Sequence, residues 1–304
     1  MPSEWDYIAW LRLRTPSDPR VILGPGDDCA VVAAPKRPLL ITTDMLMDGT
    51  DFVVAEVGPR RAGRKAMAAN LSDIAAMAGV PLAAVVSVAL PRSDGRLAEE
   101  LYLGLREMAD RFQVPIVGGD TNSWEGRLVI SVTVLGEATE RGVVQRSGAQ
   151  VGDWLFVTGA LGGSILGHHL DFTPRIQEAL RLQEWVSLHA MLDISDGLAS
   201  DLNHICQESG CGAVLVADAI PIAPAAITLS RTSQKPPLQH ALEDGEDFEL
   251  LFAVSPEDGA KLLQEPPFAG LSKIGECVSS GLWLEDSTGQ RQPLTPRGWV
   301  HEFA

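Results

Sequence analysis

Aspartates recur in one kind of setting along this chain: beside Gly, Ser or Thr, at the end of an apolar run. The segments are GPGDDCAVV (24–32), LLITTDMLMDGTDF (39–52), NLSDIAAMAG (70–79), VPIVGGDTN (114–122), MLDISDGLASDL (191–202) and LEDGEDFELLF (242–252). A turn explains any single Asp-Gly pair. Six such segments in one chain are harder to explain that way. The apolar runs in front of them, such as Leu39–Ile41 and Pro115–Val117, read as buried strands. An Asp just past a strand end stands on a rim, where layered folds bind ligands.

If these carboxylates converge, their repulsion raises their pKa values or pushes them apart. Divalent cations remove that conflict. Carboxylates with Ser and Thr oxygens are hard ligands, suited to Mg²⁺ rather than zinc. The six histidines are dispersed, and His168-His169 reads as a helix or loop feature. Mg²⁺ held by a few carboxylates keeps positions for substrate phosphates, so a metal-bridged nucleotide is the natural guest. There is no GxxxxGK[ST] segment, which excludes the P-loop route to ATP. The Gly-rich TGALGGSILG (158–167) has two readings: a tight strand-to-helix turn, or backbone close to a phosphate.

The elements that must position these residues belong to an ordinary globular chain. Its 304 residues, 45% apolar and 21% charged, can bury a full core in one large or two medium domains. Twenty-four basic residues against forty acidic ones leave −16, a surface that repels nucleic acid and anionic membrane. Apolar stretches such as Leu82–Leu90 are too short to span a bilayer, and the N-terminal segment lacks the order of a secretory signal. Cys29, Cys206, Cys211 and Cys277 form no CxxC pair. They are expected to be reduced thiols of a cytoplasmic protein.

Residues 3–14 read as a short amphipathic helix. Residues 59–78, Ala-rich and opening after Gly58-Pro59, read as a second helix. Leu97, Leu101, Leu105, Met108 and Phe112 recur in steps of three and four and predict an amphipathic helix over 96–112. Leu82–Leu90 and 127–136 read as strands. The polar stretch 137–153 is the best boundary, giving domains 1–140 and 141–304. Beyond it, strands are expected at 154–158, 213–217 and 248–254 and a helix near 194–207. The Pro-rich 220–237 reads as loop with a short helix. SDIAAMA (72–78) and SDGLASDL (195–202) echo one another faintly.

Taken in order, GPGDDCAVV, TTDMLMDGTDF, NLSDIAAMAG, GGDT, QRSGAQVGDWLFVTG, DISDGLASDL and GEDFEL resemble the thiamine-monophosphate kinase family, of the aminoimidazole-ribonucleotide-synthetase-like superfamily. The resemblance covers nearly the whole chain. It implies a mixed α/β (α+β) fold of two domains: an N-terminal ATP/Mg-binding and dimerisation domain and a C-terminal α/β domain. In that family two N-terminal domains pair into a β-barrel at the centre of a homodimer, with the ATP site in a cleft between domains, near the dimer interface. The implied reaction is ATP plus thiamine monophosphate giving ADP plus thiamine diphosphate, by direct in-line transfer without a phosphoenzyme. Mg²⁺ ions, ATP as co-substrate and K⁺ as a further candidate are the implied cofactors.

By resemblance, Asp28, Thr42, Thr43, Asp44, Asp73, Asp120, Asp193 and Asp196 match the family's Mg²⁺ ligands. Gly119, Asp120, Arg146 and Ser195 match nucleotide contacts, and Tyr102 is a further candidate. Glu246 and Trp299 match positions that touch thiamine monophosphate. The family usually has His before the Phe of its second motif; here that residue is Asp51, a departure that bears on substrate recognition. No residue is expected to act as a covalent catalyst.

Elementary electrostatics agrees with this reading. The two substrates bring roughly six negative charges to a chain already at −16, and like charges 4 Å apart repel by about 4 kcal/mol at an effective dielectric of 20. Bound cations make the assembly possible, and phosphoryl transfer asks mainly for positioning and charge neutralisation. Arg146 can offer a planar fork to a phosphate. Trp299 can stack on a heteroaromatic ring, and Glu246 can meet the cationic thiamine. Within the superfamily, selenophosphate synthetase requires an early Cys with a nearby Lys, absent before Cys29 and Lys36; the hydrogenase-maturation member ends in Cys, whereas this sequence ends HEFA. Aminoimidazole ribonucleotide synthetase fits the motifs less well. The alternative of another class is a non-catalytic nucleotide- or cation-binding protein of the same fold.

Overall fold

The computed structural model describes residues 9–25, 29–92 and 95–299. The chain divides by packing into two units, residues 1–74 with 79–142, and residues 75–78 with 143–304. The division falls inside the polar stretch that the sequence marks as a boundary.

In the first unit, a short pair β1 (Val21–Leu23) and β2 (Val31–Val32) precedes a four-stranded sheet. Its strands are β3 (Leu39–Met47), β4 (Val80–Pro91), β5 (Ile116–Trp124) and β6 (Val129–Glu137), in the order β3-β6-β4-β5. β4 and β5 run parallel; the other neighbours are antiparallel. Between β3 and β4 lies helix α1 (Pro59–Ala76) and between β4 and β5 helix α2 (Gly95–Arg111). Pro59 is a favourable first helical residue. Along α1, Ala62, Ala66, Met67, Leu71 and Ile74 are buried, as are Lys65, Asn70 and Ser72, so this helix is core nearly all round. On α2 the expected stripe is seen: Leu101, Leu105 and Met108 are buried. A Cβ at Gly63 would overlap the Leu101 carbonyl, and one at Gly104 the Arg60 carbonyl. These two glycines let the helix backbones approach directly.

One expectation is corrected here. Leu39 and Ile41 are 47% and 66% exposed, not buried. Period-two alternation turns Leu40 and Leu46 inward and puts Leu39, Ile41, Met45 and Met47 on the open face of the sheet. A sheet packed on one face only needs just every second residue of each strand for its core.

The second unit is built on seven strands: β7 (Trp154–Val157), β8 (Leu188–Asp193), β9 (Gly212–Val216), β10 (Leu250–Val254), β11 (Ser272–Val278), β12 (Leu282–Glu285) and β13 (Arg291–Pro293). Their order is β13-β12-β9-β11-β7-β10-β8, with β12 and β9 the parallel pair. Helix α3 (Leu198–Ser209) buries Leu198, Leu202 and Ile205 in a cluster with Leu155, Val157, Leu192, Leu215 and Leu251. Phe156 and Phe252 stack at 5.5 Å. The Pro-rich segment holds two short helices, Pro224–Ser233 and Pro237–Glu243, where the sequence suggested one. Among the described residues no helix is long and apolar enough to cross a membrane.

Candidate active site

The sequence-derived residues of the first unit hang on β3, β5 and α1. Thr42 and Asp44 share the inner face of β3. The Thr42 hydroxyl donates to the Asp73 carboxylate on α1, and the Asp44 N–H donates to Asn70 Oδ1 at 3.1 Å. Thr43 lies on the other face; its hydroxyl donates to the Val132 carbonyl at 3.1 Å and accepts from Thr133 at 2.9 Å.

Register places Asp120 relative to these groups. Asp44 aligns with Val132, then Val86, then Gly119 across the sheet, whereas Asp120 aligns with Ser87, Ser131 and Met45. Asp120 therefore shares the open face with Thr43, and it stands on the opposite edge strand. The two edges are three strand spacings apart, about 14 Å along a flat sheet. Gly119 has a local reason to be glycine: a Cβ there would overlap the Val86 carbonyl of β4.

Two expected contacts have other surroundings. Tyr102 is only 5% exposed; its ring meets Trp10 edge-on at 5.5 Å, and burial pushes its phenol pKa up against a hydrogen bond with Thr15. Asp51 closes the turn after β3: its carboxylate accepts the Met47 N–H at 2.6 Å, and its carbonyl accepts the buried Lys65 ammonium at 2.7 Å. Asp28 lies outside the described residues.

In the second unit, β8 delivers Asp193 and the turn Ile194–Gly197 leads into α3. Two distant segments, residues 246–249 and Trp299, hold this turn. The Ile194 N–H donates to the Glu249 carbonyl at 2.7 Å, the Phe248 N–H to Ile194 at 2.8 Å, and the Glu246 N–H to Ser195 at 2.7 Å. The Trp299 N–H donates to the Asp196 carbonyl at 3.0 Å. Ser195, Asp196, Glu246 and Trp299, scattered over more than a hundred positions, are thus joined by backbone hydrogen bonds. Glu246 sits at φ +63°, a left-handed conformation that turns the chain there. Arg146 is exposed, on a segment tied to the end of α3, where Ser209 accepts from Gly148 and Ala149.

Sequence reasoning missed Asp201 and His204. Oxygens of Asp196 and Asp201 and a ring nitrogen of His204 lie within 4.8 Å of one another. Asp201 is 3% exposed and accepts the N–H groups of Asp196 (3.0 Å) and Gly197 (3.1 Å). Burial, then the charges of Asp196 and Asp193, push its pKa up to about 8. Burial is the larger cause, and the neighbouring carboxylates add to it. The available signal was D-x-x-H at helical spacing, which puts both side chains on one face of α3.

The acids of residues 242–252 divide by role. Both Asp247 oxygens accept from the Gly162 N–H (3.0 and 2.9 Å), and Asp244 accepts from the Gly163 N–H at 2.8 Å. Glu249 is held by Arg175 and by the Thr158 hydroxyl at 2.6 Å. These contacts correct the phosphate reading of the Gly-rich segment: the amides of Gly162 and Gly163 are already engaged by carboxylates of their own chain. The glycines are needed because side chains there would collide with the backbone of residues 225–226 and 240–241.

Comparison with known proteins places the chain in a family. Residues 26–138 match the family model of the AIR synthase related protein, N-terminal domain, and residues 144–281 that of the C-terminal domain. The chain is 42% identical to the thiamine-monophosphate kinase of Rhodopirellula baltica over 98% of its own length and 97% of that protein. It is 32% identical to the Aquifex aeolicus thiamine-monophosphate kinase, over 91% and 92% of the two chains. The crystal structure of thiamine-monophosphate kinase from Stenotrophomonas maltophilia K279a superposes with a TM-score of 0.79 at 30% identity, covering 92% of this chain and 94% of that one. A structure described as AaThiL complexed with AMPPCP and TMP superposes with a TM-score of 0.78 at 30% identity, covering 91% of each. Escherichia coli HypE, a hydrogenase maturation protein, shares the fold at 18% identity, with a TM-score of 0.79 and 96% and 98% covered. With both domain models matched and near-full-length identity of 42%, this chain belongs to the thiamine-monophosphate kinase family.

Proposed function

We propose that this protein phosphorylates thiamine monophosphate with ATP, giving thiamine diphosphate and ADP, by direct in-line transfer with Mg²⁺. The observation that carries the reading is the 42% identity to a thiamine-monophosphate kinase along essentially the whole chain. A relative of the same fold and comparable length is described with an ATP analogue and TMP bound.

The donor set fits magnesium. Asp44, Asp73 and Thr42 in one unit, and Asp193 and Asp196 in the other, are hard oxygen ligands. Burial, and after it the neighbouring charges of Asp196 and Asp193, raise the pKa of Asp201, a setting that a bound cation would relieve. Bound Mg²⁺ supplies charge neutralisation for the phosphates. The protein's own part is to position. Thr42 orients the Asp73 carboxylate, Asn70 fixes the β3 backbone at Asp44, and the Glu246 and Trp299 amides hold the Ser195–Asp196 turn. Glu246 and Trp299 flank that turn and suit the cationic, aromatic end of thiamine monophosphate.

The open sheet face, with Leu39, Ile41, Met45, Met47 and Val85 exposed, fits a homodimer. Two copies pairing β3 of one beside β5 of the other close eight strands into a barrel and cover that face. The same pairing would bring β5 of one copy, with Asp120, beside β3 of the other, where Thr43 shares its face and Asp44 is the next residue along.

The test is turnover of purified protein with ATP·Mg²⁺, following ADP release with thiamine monophosphate and with unphosphorylated thiamine. Thiamine diphosphate formed from the monophosphate alone is the expected result. ATP·Mg²⁺ binding without product would replace the kinase reading with a nucleotide-binding protein of the same fold.

A further inference from the structure

Three of the four cysteines, distant in sequence or split by a helix end, meet on the second unit. Cys206 lies in the last turn of α3, Cys211 just beyond it, and Cys277 on β11. Burial first, and then the nearby Cys211, push the Cys206 and Cys277 thiols up. Cys211 is half-buried, whereas Cys206 and Cys277 are 4% and 2% exposed.

The helix end explains the first contact. The Cys211 N–H donates to the Cys206 carbonyl at 3.0 Å, the Gly210 N–H reaches Gln207 at 3.4 Å, and Gly210 is left-handed at φ +67°. This is the Schellman arrangement, which packs the side chains at its two ends against each other. Here both are cysteines. Cys277 relates to Cys211 differently. Cys277 pairs with Ala213 across β9 and β11, so Cys211 stands two residues off its register. Diagonal neighbours across a sheet are about 7–8 Å apart, beyond the usual Cα separation of a disulfide. The three sulfurs also do not form a compact metal-binding trio; among the described residues the cluster of that kind is Asp196, Asp201 and His204.

We propose that Cys206 and Cys211 form a reversible disulfide across the end of α3, made by a hydroperoxide and undone by thiols. Cys211, the accessible member, attacks the peroxide: its sulfur–oxygen bond forms, the O–O bond breaks, and the departing oxygen leaves as water or alcohol with the thiol proton. Cys206 then attacks the Cys211 sulfenic acid. The S–S bond forms, the S–O bond breaks, and hydroxide leaves as water with the Cys206 proton. Two thiols are oxidised and one peroxide is reduced. Burial, with the neighbouring Cys211 sulfur adding to it, pushes the Cys206 thiol up to about 12, so it is not the first to react.

The experiment uses the full chain carrying Cys29→Ser, which removes the exposed thiol and its intermolecular products. The folded protein is treated with hydrogen peroxide, the remaining thiols are alkylated, and the peptides are mapped by mass spectrometry with and without dithiothreitol. A Cys206–Cys211 crosslink that dithiothreitol reverses is expected. It should persist when Cys277→Ser is added and vanish with Cys211→Ser. A Cys211–Cys277 crosslink, a Cys211 sulfinic acid without any crosslink, or three thiols untouched by peroxide that oxidises free cysteine would each overturn the proposal. The mapping reads the unsubstituted trio directly, so it does not depend on how the serine variants fold.

Discussion

The two units hold their carboxylates in opposite ways. In the seven-stranded unit, Asp193, Asp196 and Asp201 crowd around one strand-to-helix turn, pinned by backbone hydrogen bonds from residues 246–249 and 299. In the four-stranded unit, Thr42 and Asp44 sit on one edge strand and Asp120 on the other, on opposite faces of a sheet that leaves one side uncovered. A chain can preorganise a cluster by itself when turns from several elements converge on it. A cluster spread over sheet edges needs something more to bring it together, and a second copy of the sheet is the simplest candidate.

The largest test of this contrast is made at β3 and β5. Asp44→Asn and Asp120→Asn should each lower turnover by about 10²–10³-fold, the usual loss for removing a charge-stabilising group. If Asp120 serves the partner's site, mixing the two inactive proteins after subunit exchange should restore about a quarter of wild-type activity, since half the dimers then carry one intact site of two. Absence of recovery in a demonstrably exchanged mixture would put both residues in one chain's site and erase the contrast.

Next in size is Glu249→Gln. Glu249 is buried and paired with Arg175, so the change leaves the guanidinium only its Glu178 partner and should cost about 2 kcal/mol in urea unfolding. It should also loosen the Ser195–Asp196 turn, because the Glu249 carbonyl holds Ile194. An unchanged midpoint would mean that the turn is not stabilised through this pair.

Asp201 gives a smaller, pH-dependent effect. Its folded pKa, pushed up to about 8, exceeds the ordinary value for an unfolded aspartate. Between those values the folded state binds the extra proton, so this group's contribution favours folding at low pH and is lost as pH rises toward 8. In metal-free protein, Asp201→Asn should flatten the decline of melting temperature between about pH 4 and pH 8. An identical slope in the two proteins would show that the crowding at this turn is relieved in some other way.

The smallest effect is expected at Asp51→His. Losing the carboxylate that accepts the Met47 N–H should cost about 1 kcal/mol of stability. Restoring the residue usual in the family should change the KM for thiamine monophosphate and leave that for ATP alone. A change confined to ATP would remove Asp51 from substrate recognition.

Much of the fold was legible in the chain. The stripe from Leu101 to Met108 announced α2, and the apolar run through Leu82–Leu90 announced β4, because each buries a face at the period its backbone imposes. The four-residue helix at His168–Asp171 and the strands beyond residue 278 gave too few periods to be read. Leu39 and Ile41 were misjudged because apolar character does not say whether a strand has one covered face or two. Asp201 and His204 escaped notice because an Asp and a His inside an amphipathic helix look like ordinary surface residues until their neighbours are known.

By itself, then, the sequence determined the order of the acidic motifs, the family they spell and the need for positive charge to offset −16. The tertiary structure decided which of those acids act as neighbours. Asp247 and Glu249 stand beside Glu246 in the chain, yet one grips the amide of Gly162 and the other a guanidinium 74 residues away. The reason is that a side chain's role follows from the face it presents and the partner it meets. Both depend on register and on contacts between segments far apart in sequence, which no local pattern encodes.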